Sequence, residues 1–246
     1  ALAAVEKTES VQSLAEARRE LDYVGFEDRY RGTEQEIRER LRRHLPELVG
    51  REPVLDLGCG RGELLSLLRD EGVEARGVDG SREMVERCRE RGLEAEHGDL
   101  FDLLGRLEAE SLGAVVSIHV IEHLPPEEVE RLVRLAHRVL RPGGVLLLET
   151  PNPRSVVVGA SRFWIDPTHR RPVHPDTLRW MAGSAGFDEV EIRELHRFPE
   201  KERIPELGLE EIPSELHELV DRLDRQRDRI EDLLHGHQDY ALVARK

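Results

Sequence analysis

Val54-Leu55-Asp56-Leu57-Gly58-Cys59-Gly60-Arg61-Gly62 carries an apolar run of strand length straight into three glycines at alternate positions. A buried strand that ends this way turns tightly into a helix, and the missing Cβ atoms let a ligand approach the backbone. Outward from this stretch the pattern alternates between strand and helix. It predicts strands over Pro53–Leu57, Glu74–Val78, Leu93–Glu96, Ala114–Val120 and Val145–Glu149, the last after a Pro142-Gly143-Gly144 turn. Between them it predicts helices over Glu63–Asp70, Ser81–Arg91, Phe101–Leu107 and Glu127–Leu140. Repeated strand-then-helix units at this spacing demand an α/β fold, a mostly parallel sheet with helices on both faces.

The flanks read differently. Residues 1–22 form a polar, helix-prone lead-in with a narrow apolar seam through Val11, Leu14 and Leu21. Thr33 and Glu36 make a capping-box pair, so a helix is expected from Glu34 to about His44, ended by Leu45-Pro46. Residues 151–174 are proline-rich and lack periodicity, the mark of a long loop, and long ordered loops in compact domains are usually functional. A helix over Pro175–Ala185 stops at Gly186, and Phe187–Leu195 and Tyr240–Ala244 read as strands. An insertion at about 204–236 lies between them, built on an amphipathic helix bearing Ile212, Leu216, Leu219, Leu223, Ile230 and Leu233. That stripe is expected to pack on the body, on the N-terminal helix or on a second subunit. The domain reading is a lead-in and covering segment over 1–46, followed by one domain over 47–246.

Bulk composition excludes some functions. With 36% charged residues and a formal net charge of −14, the chain is ill suited to bind nucleic acid or an anionic membrane surface. No apolar run approaches the roughly 20 residues that span a bilayer, and no basic-then-apolar leader opens the sequence. Cys59 and Cys88 are the two cysteines, read as reduced thiols in a cytoplasmic protein.

Three acids narrow the ligand. Asp79 ends the second strand about twenty residues past the glycines, where a carboxylate accepts both hydroxyls of an adenosine ribose. Asp99 ends the third strand in Gly98-Asp99-Leu100-Phe101, where it can accept an adenine amino group between apolar neighbours. Asp56 lies inside the first strand, where it attracts an ammonium group and repels a pyrophosphate. The Gly-x-Gly-x-Gly spacing differs from the Gly-x-Gly-x-x-Gly of dinucleotide sites. Together these features favour S-adenosylmethionine as cofactor.

Val54–Glu63, Gly77–Asp79, Gly98–Asp99 and Leu140-Arg141-Pro142-Gly143-Gly144 resemble the successive motifs of class I S-adenosylmethionine-dependent methyltransferases. The resemblance implies a Rossmann-like seven-stranded, mostly parallel sheet whose last strand is antiparallel, here with an N-terminal helix and a C-terminal helical insertion added. It implies that Gly58, Cys59, Gly60, Asp79, Gly80, Met84, Asp99, Leu100 and His119 line the cofactor, with Asp56. Phe26 through Gly32, Val120-Ile121-Glu122-His123-Leu124, Glu149 through Pro153 and Phe163 through Pro175 further resemble a bacterial subfamily associated with surface-polysaccharide (O-antigen) synthesis. That likeness places Arg31, with Tyr30, over the cofactor carboxylate and implies a sugar or glycan acceptor.

Methyl transfer to a sugar hydroxyl needs an aligned acceptor and a base, and histidine is suited to the role near neutral pH. His119 and His123 fall at the end of the fourth strand, and Asp166, His169 and His174 in the proline-rich loop over the same edge. His123 or His169 is the expected base, with Glu122 and Asp166 orienting the acceptor or an imidazole. His119-Val120-Ile121-Glu122-His123 also matches the His-x-x-Glu-His pattern of some zinc peptidases, but that pattern works only on a helix and here straddles a strand end. No ligand spacing demands a metal. Two other functions fit less well: O-methylation of a quinone-like or aromatic small molecule, and a non-catalytic assembly module held through its terminal amphipathic helices as a homodimer or coiled coil.

Overall fold

The structure is a computed structural model that describes Gly25, Tyr30, residues 32–206 and residues 213–246. The expected helix over 1–22, most of the Phe26–Gly32 motif, Arg31 and Ile212 lie outside the described residues. The chain divides into two compact units, Ala1–Leu45 and Pro46–Lys246.

In the first unit, α1 (Glu34–Leu41) begins at the expected capping box: the Thr33 hydroxyl accepts from Glu36 N, and Thr33 N donates to the Glu36 carboxylate at 2.9 Å. Helical structure does not end at Leu45-Pro46. A 3-10 turn over Arg42–His44 leads into a short helix α2 (Leu45–Leu48), because proline is tolerated in the first helical turn, where its missing N–H has no partner to lose.

The second unit is a seven-stranded sheet in the order β3-β2-β1-β4-β5-β7-β6. Its strands are β1 (Val54–Leu57), β2 (Ala75–Asp79), β3 (Ala95–His97), β4 (Leu112–Ile118), β5 (Leu140–Pro151), β6 (Glu189–Arg197) and β7 (His237–Arg245). Strands β1 to β5 are parallel, and β7 runs antiparallel between β5 and β6. The connecting helices are α3 (Glu63–Asp70), α4 (Arg82–Glu90), α5 (Leu100–Arg106) and α6 (Pro126–Val139), followed by α7 (Val156–Ala160), α8 (Pro175–Ala185) and α9 (His217–Leu234).

Strand alternation assigns the two faces. Leu55 and Leu57 of β1 join Leu146 and Leu148 of β5 and Leu242 of β7 under α5, α6 and α8, which contribute Leu104, Leu132, Ala136 and Leu178. On the other face Leu65 and Val85 of α3 and α4 pack with Cys59, Cys88 and Ala95. Truncating one of the fully buried leucines, such as Leu132, costs about 2–5 kcal/mol.

Two differences from the sequence reading bear on the site. The proline-rich segment is not bare loop: it contains α7, capped by Ser155, whose hydroxyl accepts from Val158 N, and a 3-10 turn over Arg162–Ile165. The apolar stripe of α9 does not pack on the body: Leu216, Leu219, Leu223, Ile230 and Leu233 are 46–59% exposed. The helix is seated instead by buried Val220 and by Glu231, which accepts from Ile204 N at 3.0 Å and pairs with His235 at 2.9 Å. No helix of the described residues is long and apolar enough to cross a membrane.

Candidate active site

The glycine-rich turn leaves β1 and enters α3 with its backbone tied to β2. Gly58 N and Cys59 N both donate to Val78 O, at 2.8 and 3.1 Å. Gly58 has φ 76°, and a Cβ there would run into Val120 Cγ2, so dihedral and space both require glycine. Gly62, at φ 79°, is the left-handed N-cap of α3. Asp79 accepts from Gly60 N at 2.9 Å through one oxygen and from Ser81 N at 2.7 Å through the other. Each oxygen has two lone pairs, so the carboxylate is oriented by the loop and keeps acceptor capacity for two ribose hydroxyls.

Asp56 is buried in β1, and Asp99 is the exposed N-cap of α5, its Oδ1 accepting from Phe101 N at 2.7 Å and Asp102 N at 3.0 Å. Phe101 is drawn into the core with Arg131 over its ring, so Leu100 is the neighbour of Asp99 left partly exposed. Gly80 is exposed, whereas Met84 is buried in the first turn of α4. Cys59 is buried beneath β2, where a Cβ on Gly77 would meet its Sγ at 2.6 Å. Its hydrogen bond with Cys88, together with burial and the charge of Asp56, pushes its thiol pKa far up, so it is an inert packing residue. A glycine-rich turn, an oriented carboxylate with spare acceptor sites and a buried acid beside them fit an adenosyl amino-acid cofactor.

Beyond Val120, side chains from four adjacent strand ends converge. His119, just past β4, has its Nδ1 3.2 Å from Glu122 Oε1, and its Nε2 lies 3.6 Å from Glu149 of β5 and 4.0 Å from Asp239 of β7. His196 of β6 lies 2.8 Å from the other Asp239 oxygen. His119 and His196 are both held at positive φ, 54° and 55°, a costly conformation for a side-chain-bearing residue. Burial opposes charge on His119, but its bonds to Glu122 and Glu149 and the charge of Asp239 prevail and push its pKa up to about 10. Burial would raise Glu122, yet the bond to His119 and the His119 charge prevail and hold it down at about 2. Thr150 donates to the second Glu122 oxygen at 2.9 Å. His119, Glu149 and Asp239 could hold a metal by spacing, as could Glu122, His123 and His169. The His119 imidazolium already supplies the first group with a cation.

The proline-rich segment closes over this cluster. Arg170 N donates to Glu122 O at 2.9 Å, and Tyr240 OH donates to Val173 O at 3.0 Å. His169 directs Nδ1 to Phe163 O at 2.6 Å, with Nε2 3.8 Å from Asp166 and 3.9 Å from Glu122. His123 stands edge-on to His169, ring centroids 4.8 Å apart. Burial pushes its pKa below the usual histidine value, against the charge of Glu122.

Of the expected catalytic residues, His119, Glu122, His123, Asp166 and His169 come together. His174 does not join them: it is half exposed and caps α8, its Nδ1 accepting from Asp176 N at 3.2 Å. Glu149, Thr150, Thr168, His196 and Asp239 belong to the cluster and were not expected as site residues, although Glu149, Thr150 and Thr168 fall in the subfamily-like segments. Only Thr168 had a local signal, the Asp166-x-Thr168 spacing of a side-chain-capped turn. A separate cavity of about 390 Å³, lined by Pro53, Glu74, Leu107 and Leu112, opens at the opposite, N-terminal ends of the strands, away from this chemistry.

A family profile described as a methyltransferase domain matches residues 28–192. A Mycolicibacterium smegmatis protein described as a probable S-adenosylmethionine-dependent methyltransferase is 35% identical over 142 residues, covering 57% of this chain and 53% of that one. A ubiquinone biosynthesis O-methyltransferase from Psychrobacter arcticus is 32% identical over 172 residues, covering 62% of this chain and 65% of that one. The chain thus spans about half the length of the first relative and just under two thirds of the second. The crystal structure of a SAM-dependent methyltransferase from Archaeoglobus fulgidus is 33% identical, with a TM-score of 0.86 over 92% of this chain and 100% of that one.

Proposed function

The chain belongs to the S-adenosylmethionine-dependent methyltransferase family, and from that premise we propose that it methylates a hydroxyl of a sugar or sugar-linked group in a bacterial glycan, with His123 as base. Bound at the Gly58–Gly60 turn, the cofactor supplies an electrophilic methyl group on a sulfonium. Asp56, Asp79 and Asp99 are the acids that hold it, with Leu100 beside the adenine. A sugar hydroxyl is a weak nucleophile, so the residues at the rim must take its proton as the new bond forms.

One observation carries the choice of base. The rim holds a partly buried imidazole, His123, whose pKa is lowered and which is neutral at pH 7, beside a His119–Glu122 pair that is fully charged. His119 already bears its extra proton, and Glu122 is held as a saturated carboxylate. Trp164, 54% exposed on the closing segment, offers a flat face for the apolar side of a sugar ring. The Phe163–Pro175 motif, with its likeness to polysaccharide-associated enzymes, supports the same acceptor class.

The test is transfer of labelled methyl to sugar nucleotides, oligosaccharides and surface-polysaccharide extracts. Absence of label on every saccharide would remove this reading. The Psychrobacter arcticus relative, described as a ubiquinone biosynthesis O-methyltransferase, favours a second one, a quinone-like or aromatic acceptor. Phenols ionise far more readily than sugar hydroxyls, so replacing His123 would hardly slow a phenolic acceptor and would strongly slow a sugar.

A further inference from the structure

Thr168 stands between Asp166 and His123. Its Oγ1 lies 2.6 Å from Asp166 Oδ1 and 3.0 Å from His123 Nδ1, and its backbone N–H donates to the same Asp166 oxygen at 2.8 Å. Burial favours a protonated Asp166, but the two Thr168 donors outweigh it and keep the carboxyl ionised. An ionised carboxylate can only accept hydrogen bonds, so the single hydroxyl proton of Thr168 is committed to Asp166. The oxygen that faces His123 then offers lone pairs alone. A 3.0 Å contact there requires the proton to sit on His123 Nδ1.

We infer that Thr168, oriented by Asp166, is a positioning residue that fixes His123 in its Nδ1-protonated tautomer and leaves Nε2 as the atom that takes the acceptor's proton. The inference rests on the reading of His123 as base. As the acceptor oxygen bonds to the methyl carbon, its O–H bond breaks and the proton passes to Nε2, while the carbon–sulfur electron pair returns to sulfur. The resulting imidazolium keeps its Nδ1–H on the Thr168 oxygen, whose dipole is aligned by the Asp166 charge. His123 gives up the extra proton to water after product leaves.

The same logic applies to its neighbour. The Phe163 carbonyl can only accept, so the 2.6 Å contact sets His169 as Nδ1-protonated as well. Both imidazoles therefore receive their tautomer from the segment that closes over them, and seating that segment and preparing the base become one event. A mere structural pin at Thr168 would hold the loop without selecting a tautomer, and that difference is measurable.

The experiment pairs Thr168→Ser, which keeps the hydroxyl, with Thr168→Val, which keeps the shape. Proton–nitrogen correlation spectra of histidine-labelled protein read the His123 tautomer directly. Wild type and Thr168→Ser should show Nδ1–H, and Thr168→Val should shift His123 toward Nε2–H. In Thr168→Val, kcat should fall about 10- to 100-fold with KM and cofactor affinity nearly unchanged, and Thr168→Ser should recover most of it. Asp166→Ala, which frees the Thr168 proton to point at Nδ1, should move the tautomer the same way and replaces Thr168→Val should that variant not fold. An unchanged tautomer in these variants, or equal losses in Ser and Val, would overturn the role given to Thr168. A switched tautomer with unchanged kcat would uphold that role and overturn His123 as base.

Discussion

Partly exposed His119 and fully buried Glu122, one strained turn apart, form an ion pair: Nδ1 lies 3.2 Å from Oε1, the imidazole pKa is pushed up to about 10 and the carboxyl held down at about 2. The raised histidine contributes stability that is complete below its ordinary 6.5 and is lost as pH rises through about 10. The depressed carboxyl contributes stability that is complete above its ordinary 4.5 and is lost as pH falls toward 2. Urea denaturation should therefore show the largest stability between pH 4.5 and 6.5, with declines on both sides. In His119→Gln the alkaline decline up to pH 10 should flatten.

His123 titrates on the other side of neutrality. Its lowered pKa predicts that kcat/KM rises with pH to a plateau through an apparent pKa below 6.5. His123→Gln should lower kcat with a saccharide acceptor by about 100- to 10,000-fold while calorimetry finds cofactor affinity preserved. A variant that loses both together would place His123 in the cofactor pocket instead.

Asp79 should separate binding from chemistry. Asp79→Ala removes the acceptor for Gly60 N and Ser81 N along with the proposed ribose contacts. Cofactor affinity should fall about 10- to 150-fold by calorimetry, about 1.5–3 kcal/mol for lost bonds to a charged group. Asp99→Ala should weaken binding less, because that carboxylate is exposed and its Oδ1 serves the α5 cap.

Glu47 tests the frame behind the site. Its two oxygens meet Arg193 of β6 and Arg245 of β7, each at 2.8 Å, tying the approach to β1 across the antiparallel pair. Glu47→Gln should cost about 1–2 kcal/mol, below the roughly 1.5–3 kcal/mol of buried bonds to a charged group because both arginines are about a third exposed. Burial raises Glu47 but the arginines lower it further, so this contribution is present above its ordinary 4.5 and vanishes as pH falls.

The parts of the site that were legible in the sequence are those made by local chemistry. Gly58, Gly62 and Asp79 act through backbone within one strand–helix–strand unit, and His119, Glu122 and His123 lie on five consecutive residues. Glu149, Asp239 and His196 were invisible because register unites them: Pro151 pairs with Asp239, and Asp239 with Leu195, joining residues 43 or more apart. Strand β4 stops at Ile118, two residues short of the periodicity, because His119 leaves the extended region for a left-handed φ that no hydropathy pattern records. The α9 stripe shows the converse: helical spacing reveals a face but not what covers it, and the helix is anchored to the body by Val220 and Glu231 instead.

The contact that fixes Gly58 has a bearing on how this enzyme could be re-engineered. Val120 Cγ2 occupies the space where a residue at position 58 would place its Cβ, so the donor turn and the acceptor rim share one methyl group. A library that randomises 119–123 to accept new substrates would also reshape the donor turn. Larger side chains at 120 would be discarded for failing to bind the donor, whatever they did for the acceptor. Selectivity is better sought on the closing segment, around Trp164 and Ile165, where side chains are about half exposed and the donor turn is untouched.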